Sequence, residues 1–219
     1  MMDAGVWLTL LHILVLVYWL GADLGAFLSA SVLADASRPA PARMAAAGIL
    51  LNVDMAPRMA LIFALPTGLA LANARGWLAL DPVWIAGVFL AALVWAGFAW
   101  RIHLAHGRAP IVAQADRIWR AVFALALLGV AAAGIAGLID LALFLALKLA
   151  ILGLAVGLGL AIRIVLKPFE AAIGTLARGA ADEATNAVIS RSIMRVRILV
   201  VGLWTLLLAA AFLGIAVPG

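Results

Sequence analysis

His12, Trp19 and Asp23 lie within one apolar run of the sequence, from Val6 to Leu33. The run is longer than the roughly 20 residues that a bilayer-spanning helix requires, so it carries a histidine and a carboxylate into lipid. At about 100° per residue, Trp19 and Asp23 fall about 20° to either side of His12, and the three share one helical stripe. An aspartate facing hydrocarbon costs roughly 3 kcal/mol. We therefore expect the stripe to face protein, either to satisfy neighbouring helices or to form a cofactor or proton site.

Asp54 and Arg58 form a second polar pair inside an apolar segment, 44–73. Their spacing of four places them on one helical face, and a rise of about 1.5 Å per residue brings them near the depth of Asp23. One guanidinium against two carboxylates leaves a deficit of one positive charge. Either one carboxyl is protonated or another cation joins the cluster. Alternatively, the charges only lock the first two helices together.

Lys148 is the other ionisable residue deep in an apolar segment. It lies about 12 Å from the start of a helix that begins at Asp140, at roughly the depth of His12. Its long side chain either extends outward to water or faces the same interior as His12. In the second case, chemistry in this part of the chain would use His12 and Lys148 together.

Two glycine motifs accompany these residues, Gly21-x-x-x-Gly25 in the first helix and Gly153-x-x-x-Gly157 in the fifth. Such motifs let transmembrane helices approach closely. They predict that the first and fifth helices pack against each other, or that they leave a slot for a flat ligand.

Composition places the chain in the membrane class, because 68% of residues are hydrophobic, 11% are charged and the mean hydropathy is +1.23. These values exclude a soluble domain. We expect an all-α polytopic membrane helix bundle that forms a single transmembrane domain, 1–219, in contact with the lipid bilayer. Its six spans are predicted at 6–33, 44–73, 82–104, 118–137, 140–166 and 191–217. The longest connection has apolar residues at helical spacing, which predicts an amphipathic surface helix near 168–180.

Basic residues are distributed unevenly between the predicted connections. One side of the membrane carries Arg38, Arg43, Arg101, Arg108, Arg117, Arg120, Arg163, Lys167, Arg178, Arg191, Arg195 and Arg197, and the other carries Arg75. The positive-inside rule then predicts an inner-membrane protein with both termini periplasmic. The net charge of +5 reflects this topology, and no basic face interleaved with aromatic residues points to nucleic acid.

The remaining histidines, His103 and His106, lie at the basic end of the third predicted helix, which favours a surface position. Because His12 lies near the opposite end of the bundle, a bis-histidine haem joining His12 to His103 is disfavoured. The chain has no cysteine, which excludes disulfides, iron–sulfur clusters and thiolate metal sites.

His12 followed by Tyr18-Trp19-Leu20-Gly21 resembles the first helix of HemJ-type protoporphyrinogen oxidases and related CopD-like membrane proteins. Ala146-Leu147-Lys148-Leu149, in a helix that ends near Arg163, resembles the lysine-bearing helix of the HemJ group, and Pro66-Thr67-Gly68 is similar to a stretch of its second helix. The resemblance implies haem b, with His12 as the iron ligand, Trp19 beside it and Lys148 as the second functional residue.

Two classes of function remain open at this point. In the first, the protein binds haem b and is an oxidoreductase that passes electrons between a hydrophobic small-molecule substrate and quinone. In the second, it is a CopD-like copper, ion or proton-coupled transporter that uses Asp23, Asp54, Arg58 and Lys148. The oligomeric state is open as well, with a homo-oligomer as one alternative.

Overall fold

The computed structural model describes residues 3–105 and 108–216. These residues form helices and short connections without strands, which confirms the all-α fold class. The helical segments are α1 (Ala4–Ala34), α2 (Ala40–Val53), α3 (Met55–Ala74), α4 (Pro82–Ala105), α5 (Pro110–Ile135), α6 (Leu143–Val165), α7 (Lys167–Ala177) and α8 (Glu183–Ile215).

Six of the described helices are long and apolar enough to cross a membrane, with α2 and α3 together forming the second span, Ala40–Ala74. Apart from the connection that contains α7, the links between spans are too short to recross a bilayer, so successive spans run antiparallel. Large apolar side chains face outward along the spans, for example Leu125 and Phe212, each 69% exposed. The chain is therefore a multi-pass membrane protein whose outer surface contacts lipid.

The spans form a closed ring. Each span packs against the next one along the chain, and α8 packs against α1. The main core cluster inside this ring draws side chains from all six spans, among them Trp19 of α1, Trp95 of α4 and Leu203 of α8. We call the end of the ring where α1 begins and α8 ends the terminal side, and the opposite end the basic side.

The second span is interrupted at Asp54, between α2 and α3. Pro57 follows within the first turn of α3 and has no backbone N–H to donate to the carbonyl of Val53, so the helical hydrogen-bond ladder is interrupted there. The interruption places Asp54 at a junction between two helix segments. Sequence analysis predicted one uninterrupted helix over 44–73, starting four residues later than the observed Ala40.

Two other predicted helix starts were late. The fourth span was predicted to begin at 118 but begins at Pro110, and the last was predicted at 191 but begins at Glu183. In both cases, charged residues were assigned to connections although they lie inside helices. The short helix expected near 168–180 is present as α7, with Ala172 and Leu176 packed in a second core cluster; its position on a membrane surface remains a prediction.

Candidate functional site

The side chain of His12 hydrogen-bonds to Thr67 of α3, with 2.9 Å between Nδ1 and Oγ1. The Thr67 hydroxyl has a single proton, and it donates that proton to the carbonyl of Phe63 at 2.7 Å. With that proton on Phe63, Thr67 Oγ1 is left as the acceptor, and we assign His12 Nδ1–H as the donor from this hydrogen-bond pattern. This assigns the imidazole tautomer and leaves the lone pair of Nε2 free to bind a metal or accept a proton.

Gly68 lets the imidazole approach α3 closely. A Cβ atom at this position would lie 3.2 Å from His12 Cε1, so an alanine would press on the ring. Thr67 and Gly68 thus fix the ring from one side, by a hydrogen bond and by the absence of a side chain. Both belong to the Pro66-Thr67-Gly68 stretch, and Thr67 itself is buried.

Lys148 of α6 lies on the same side of the ring as His12. It is partly buried and interacts electrostatically with His12. Its Nζ packs against Gly214 of α8, where an added Cβ would lie 2.6 Å from it. The structure therefore brings His12 and Lys148 into one neighbourhood near the terminal side, as their depths in the sequence predicted.

The two aromatic residues that follow His12 in α1, Tyr18 and Trp19, differ in burial. Trp19 is 4% exposed and belongs to the main core cluster. Tyr18 is 63% exposed and points outward, because successive residues of a helix are rotated by about 100° and the next residue, Trp19, faces the core.

The glycine motifs do not join the first and fifth spans. Gly153 faces α5, where an added Cβ would lie 3.1 Å from the carbonyl oxygen of Ala124. No described atom of another element lies within 4 Å of an added Cβ at Gly21 or Gly157. The prediction of close packing between the first and fifth spans was wrong. The fifth span is α6, and it packs most extensively against α5, to which a short connection joins it.

Asp23, Asp54 and Arg58 meet deeper in the ring, apart from His12. Arg58 Nε donates to Asp54 Oδ2 at 2.8 Å, and both side chains are about one-third exposed. Asp23 accepts a 3.2 Å hydrogen bond from the indole of Trp204 on α8 and interacts electrostatically with Asp54. Arg58 is paired with Asp54 alone among the described residues. The structure therefore contains the predicted Asp54–Arg58 pair, but not a triad in which Arg58 also pairs with Asp23.

The most buried charge in the described chain is Asp116 of α5, which sequence analysis did not single out. Asp116 is 0% exposed. Its Oδ1 accepts from Trp95 Nε1, and its Oδ2 accepts from Arg120 Nε and Arg163 Nη1, all three at 2.9 Å. We call these four residues the Asp116 cluster. It ties α4, α5 and α6 together near the basic side.

Arg120 and Arg163 had been counted with the cations of the connections, although the predicted spans 118–137 and 140–166 contain them; the structure places both inside helices. Arg120 is 5% exposed inside α5, with its guanidinium carbon 5.1 Å from the centre of the Trp95 ring, and Arg163 lies in the last turn of α6. The spacing Asp116-x-x-x-Arg120 repeats that of Asp54-x-x-x-Arg58. This repeat was the available signal, because i,i+4 pairs of opposite charge stabilise helices rather than connections.

Arg163 links the two charge groups, since it interacts electrostatically with Arg58 as well as with Asp116 and Arg120. Its interactions with Arg58 and Arg120 are repulsive, and the carboxylate that pairs with Arg163 is that of Asp116.

Arg43, also counted as a connection residue, is 2% exposed in α2. It donates to the carbonyl of Leu33 at 2.9 Å and to Asn186 at 2.8 Å, and so caps the end of α1. His103 lies in the last turn of α4 beside Trp100, and His106 is outside the described residues.

A groove of about 310 Å³ runs along the outside of α4 and α5. It is lined by Gly87, Leu90, Ala91, Val94, Trp95, Phe98 and Trp119. Trp95 therefore has one side on the groove and its indole N–H on Asp116.

The described residues contain no group of three or more His, Asp or Glu side chains able to hold a metal ion. Comparisons with protein-family models, with curated proteins and with solved structures gave no match.

Proposed function

We propose that this protein binds haem b inside the membrane, with His12 as the iron ligand. The observation that carries the proposal is the hydrogen bond from His12 Nδ1–H to Thr67, which fixes the ring and leaves Nε2 as the free nitrogen. Histidines that bind metals generally donate their other ring N–H in this way. The lack of a three-residue metal cluster in the described chain agrees with a cofactor that brings four ligands of its own.

The surroundings of His12 fit such a group chemically. Lys148 offers a positive charge close to the imidazole and would pair with a haem propionate. Gly68 leaves the ring free of a neighbouring Cβ, and Trp19 lies on the same helical stripe within the core. The bound haem would supply one-electron redox chemistry, and the chain's own residues would hold it and set its electrostatic surroundings.

In this proposal the protein is an oxidoreductase that exchanges electrons between a hydrophobic substrate and quinone, both of which reach it from the bilayer. The membrane is the inner membrane of a bacterium, and both termini are periplasmic, which puts His12 in the outer half. The single cation Arg75 on the terminal side supports this orientation. A C-terminal reporter that is active only in the cytoplasm would contradict it.

Haem titration of purified variants tests the proposal. His12→Ala should lose saturable binding and the Soret band, because it removes the ligand. Thr67→Val should weaken binding by roughly 10–100-fold, since it removes the partner that orients the ring. Lys148→Ala should keep the band with a changed position or affinity.

The matched control is His103→Ala, which removes an imidazole at the other end of the bundle. We expect it to bind haem like the wild type. Loss of the band in His103→Ala but not in His12→Ala would move the site to the end of α4 and overturn the assignment.

A second candidate function is proton-coupled transport, which the helix interruption at Asp54 favours. Interrupted helices with ionisable groups at membrane depth are typical of transporter sites, and Asp54 lies at such an interruption beside Asp23 and Arg58. Proton flux into proteoliposomes that Asp54→Asn abolishes and His12→Ala leaves intact would support this function over haem-dependent electron transfer.

A further inference from the structure

The seam between α4 and α5 is the most weakly packed one in the ring. These two spans contact each other less extensively than any other pair of successive spans, although α4 ends at Ala105 and α5 begins at Pro110. The groove of about 310 Å³ lies along this seam, and a smaller hollow that reaches α3 shares Trp95 and Trp119 with it. The seam therefore leaves an apolar groove open on the lipid-facing surface.

The shape and lining of the groove fit an alkyl chain. Its wall on α4 runs from Gly87 to Phe98, which is about 16 Å along the helix axis at about 1.5 Å per residue. The side chains that line it are all aliphatic or aromatic, and the indole N–H of Trp95 is already donated to Asp116. The groove therefore favours an elongated apolar group over a ligand that needs several hydrogen bonds from the wall.

An exposed arginine continues the α4 wall of the groove toward the basic side. Arg101 follows Val94 by seven residues, so the two lie about 20° apart around the helix, and Arg101 is about one turn beyond Phe98. It is exposed and forms no ion pair with a described carboxylate. The neighbouring Trp100 is 52% exposed, as is typical of a tryptophan at the membrane interface. A positive charge thus lies at the interfacial end of the apolar groove.

We propose that the groove between α4 and α5 binds an anionic phospholipid, with one acyl chain along the groove and the phosphate on Arg101. The two parts of this ligand match the two parts of the site, because the wall is apolar and a guanidinium binds phosphate oxygens in a bidentate manner. The site is independent of the proposed haem function, since His12 lies on α1 and contacts α3, whereas the groove lies on α4 and α5.

A competing explanation needs no defined site. Arg101 would then be one of several cations on the basic side that attract anionic headgroups in general. Arg195 of α8 is the matched residue for this alternative, because it is exposed as well and does not line the groove. Each of the two arginines lies roughly 30 Å from the terminal-side end of its helix, and so at about the same depth.

Quenching of tryptophan fluorescence by brominated phospholipids separates the two explanations, because bromine on an acyl chain quenches the indoles that the chain contacts. The protein is reconstituted in phosphatidylcholine, and brominated phosphatidylglycerol or brominated phosphatidylcholine replaces part of the lipid. We expect phosphatidylglycerol to quench saturably at a mole fraction about fivefold lower than phosphatidylcholine. Arg101→Gln should abolish this preference, and Arg195→Gln should keep it.

Two further variants test the acyl-chain part of the site. Gly87→Leu adds a side chain to the groove without a clash, since no described atom of another element lies within 4 Å of its Cβ, and it should abolish the saturable quenching. The control is Gly129→Leu on α5, where an added Cβ also meets open space outside the groove. Trp119→Phe keeps an aromatic wall but should lower the amplitude of the saturable quenching, because it removes an indole that lines the groove.

The proposal is wrong if the wild type is quenched equally by the two lipids or shows no saturation. It is also wrong if Gly87→Leu retains the saturable quenching. An equal loss of preference in Arg101→Gln and Arg195→Gln would establish general attraction to the basic side and overturn the site at Arg101.

Discussion

Replacing Asp116 by asparagine should be among the most destabilising single changes in this protein. The carboxylate accepts two guanidinium hydrogen bonds and one indole hydrogen bond at 0% exposure. Summing aqueous values of about 1.5–3 kcal/mol for each charged bond and about 1 for the indole gives roughly 4–7 kcal/mol. Hydrogen bonds measured in membrane proteins average about 0.6 kcal/mol each, or roughly 2 kcal/mol for three.

The unpaired charge decides between these two estimates, because Asp116→Asn leaves the buried guanidinium of Arg120 and the partly exposed guanidinium of Arg163 without a carboxylate. Removing one partner of a buried ion pair costs about 3–5 kcal/mol, and we expect a loss in that range. At roughly 2–4 °C per kcal/mol for a chain of this size, Tm should fall by about 6–20 °C. Tryptophan fluorescence during heating, in detergent and at fixed ionic strength, measures it.

Two further variants make the test specific. Asp35→Asn removes a carboxylate whose arginine partner is exposed, and it should leave Tm unchanged within error. Adding Arg163→Gln to Asp116→Asn removes one unpaired charge and should recover at least about 1 kcal/mol. If the Tm of Asp116→Asn equals that of Asp35→Asn, the Asp116 cluster is not a buried ion network, and the expected loss of stability is refuted.

Two other predictions concern packing and pH. Gly214→Ala should displace Lys148, since the new Cβ would lie 2.6 Å from Nζ. Haem titration of this variant should then resemble that of Lys148→Ala. The control is Gly157→Ala, which adds a Cβ in open space and should bind haem like the wild type. Asp182 caps α8, and hydrogen bonds from Thr185 hold the pKa of that carboxyl below its usual range. The stabilisation of the folded protein by the Asp182 cap is therefore present above the unfolded-state pKa of this carboxyl and is lost as pH falls through its folded-state pKa. Asp182→Ala should have a lower Tm than the wild type at neutral pH, and this difference should disappear in acid. A Tm difference that persists in acid would contradict the capping role.

The spans and their polar residues could be predicted from sequence to different degrees. Apolar length is a local property, and it was enough to find the six spans and the depths of His12 and Lys148. The start of α5 was missed because Asp116, the ion-pair partner of Arg120, looks like a connection residue until tertiary pairing is known. Their neutralisation depends on Arg163 and Trp95, which come from other spans.

The hydrogen bond between His12 and Thr67 illustrates the same limit. The two residues are 55 positions apart, and no periodicity in either helix specifies which threonine faces the imidazole. Gly153 was misassigned for a related reason, because a glycine motif indicates close packing without identifying the partner helix. Sequence therefore predicted which residues are unusual, and packing of the ring decided which of them meet.

The absorption spectrum of the wild-type protein purified from its membrane tests the haem assignment most directly. The account predicts a Soret band that shifts on addition of dithionite, together with extractable haem b at about one per chain. A colourless protein that yields no haem on extraction, and that takes up none when haem is supplied during expression, would contradict it.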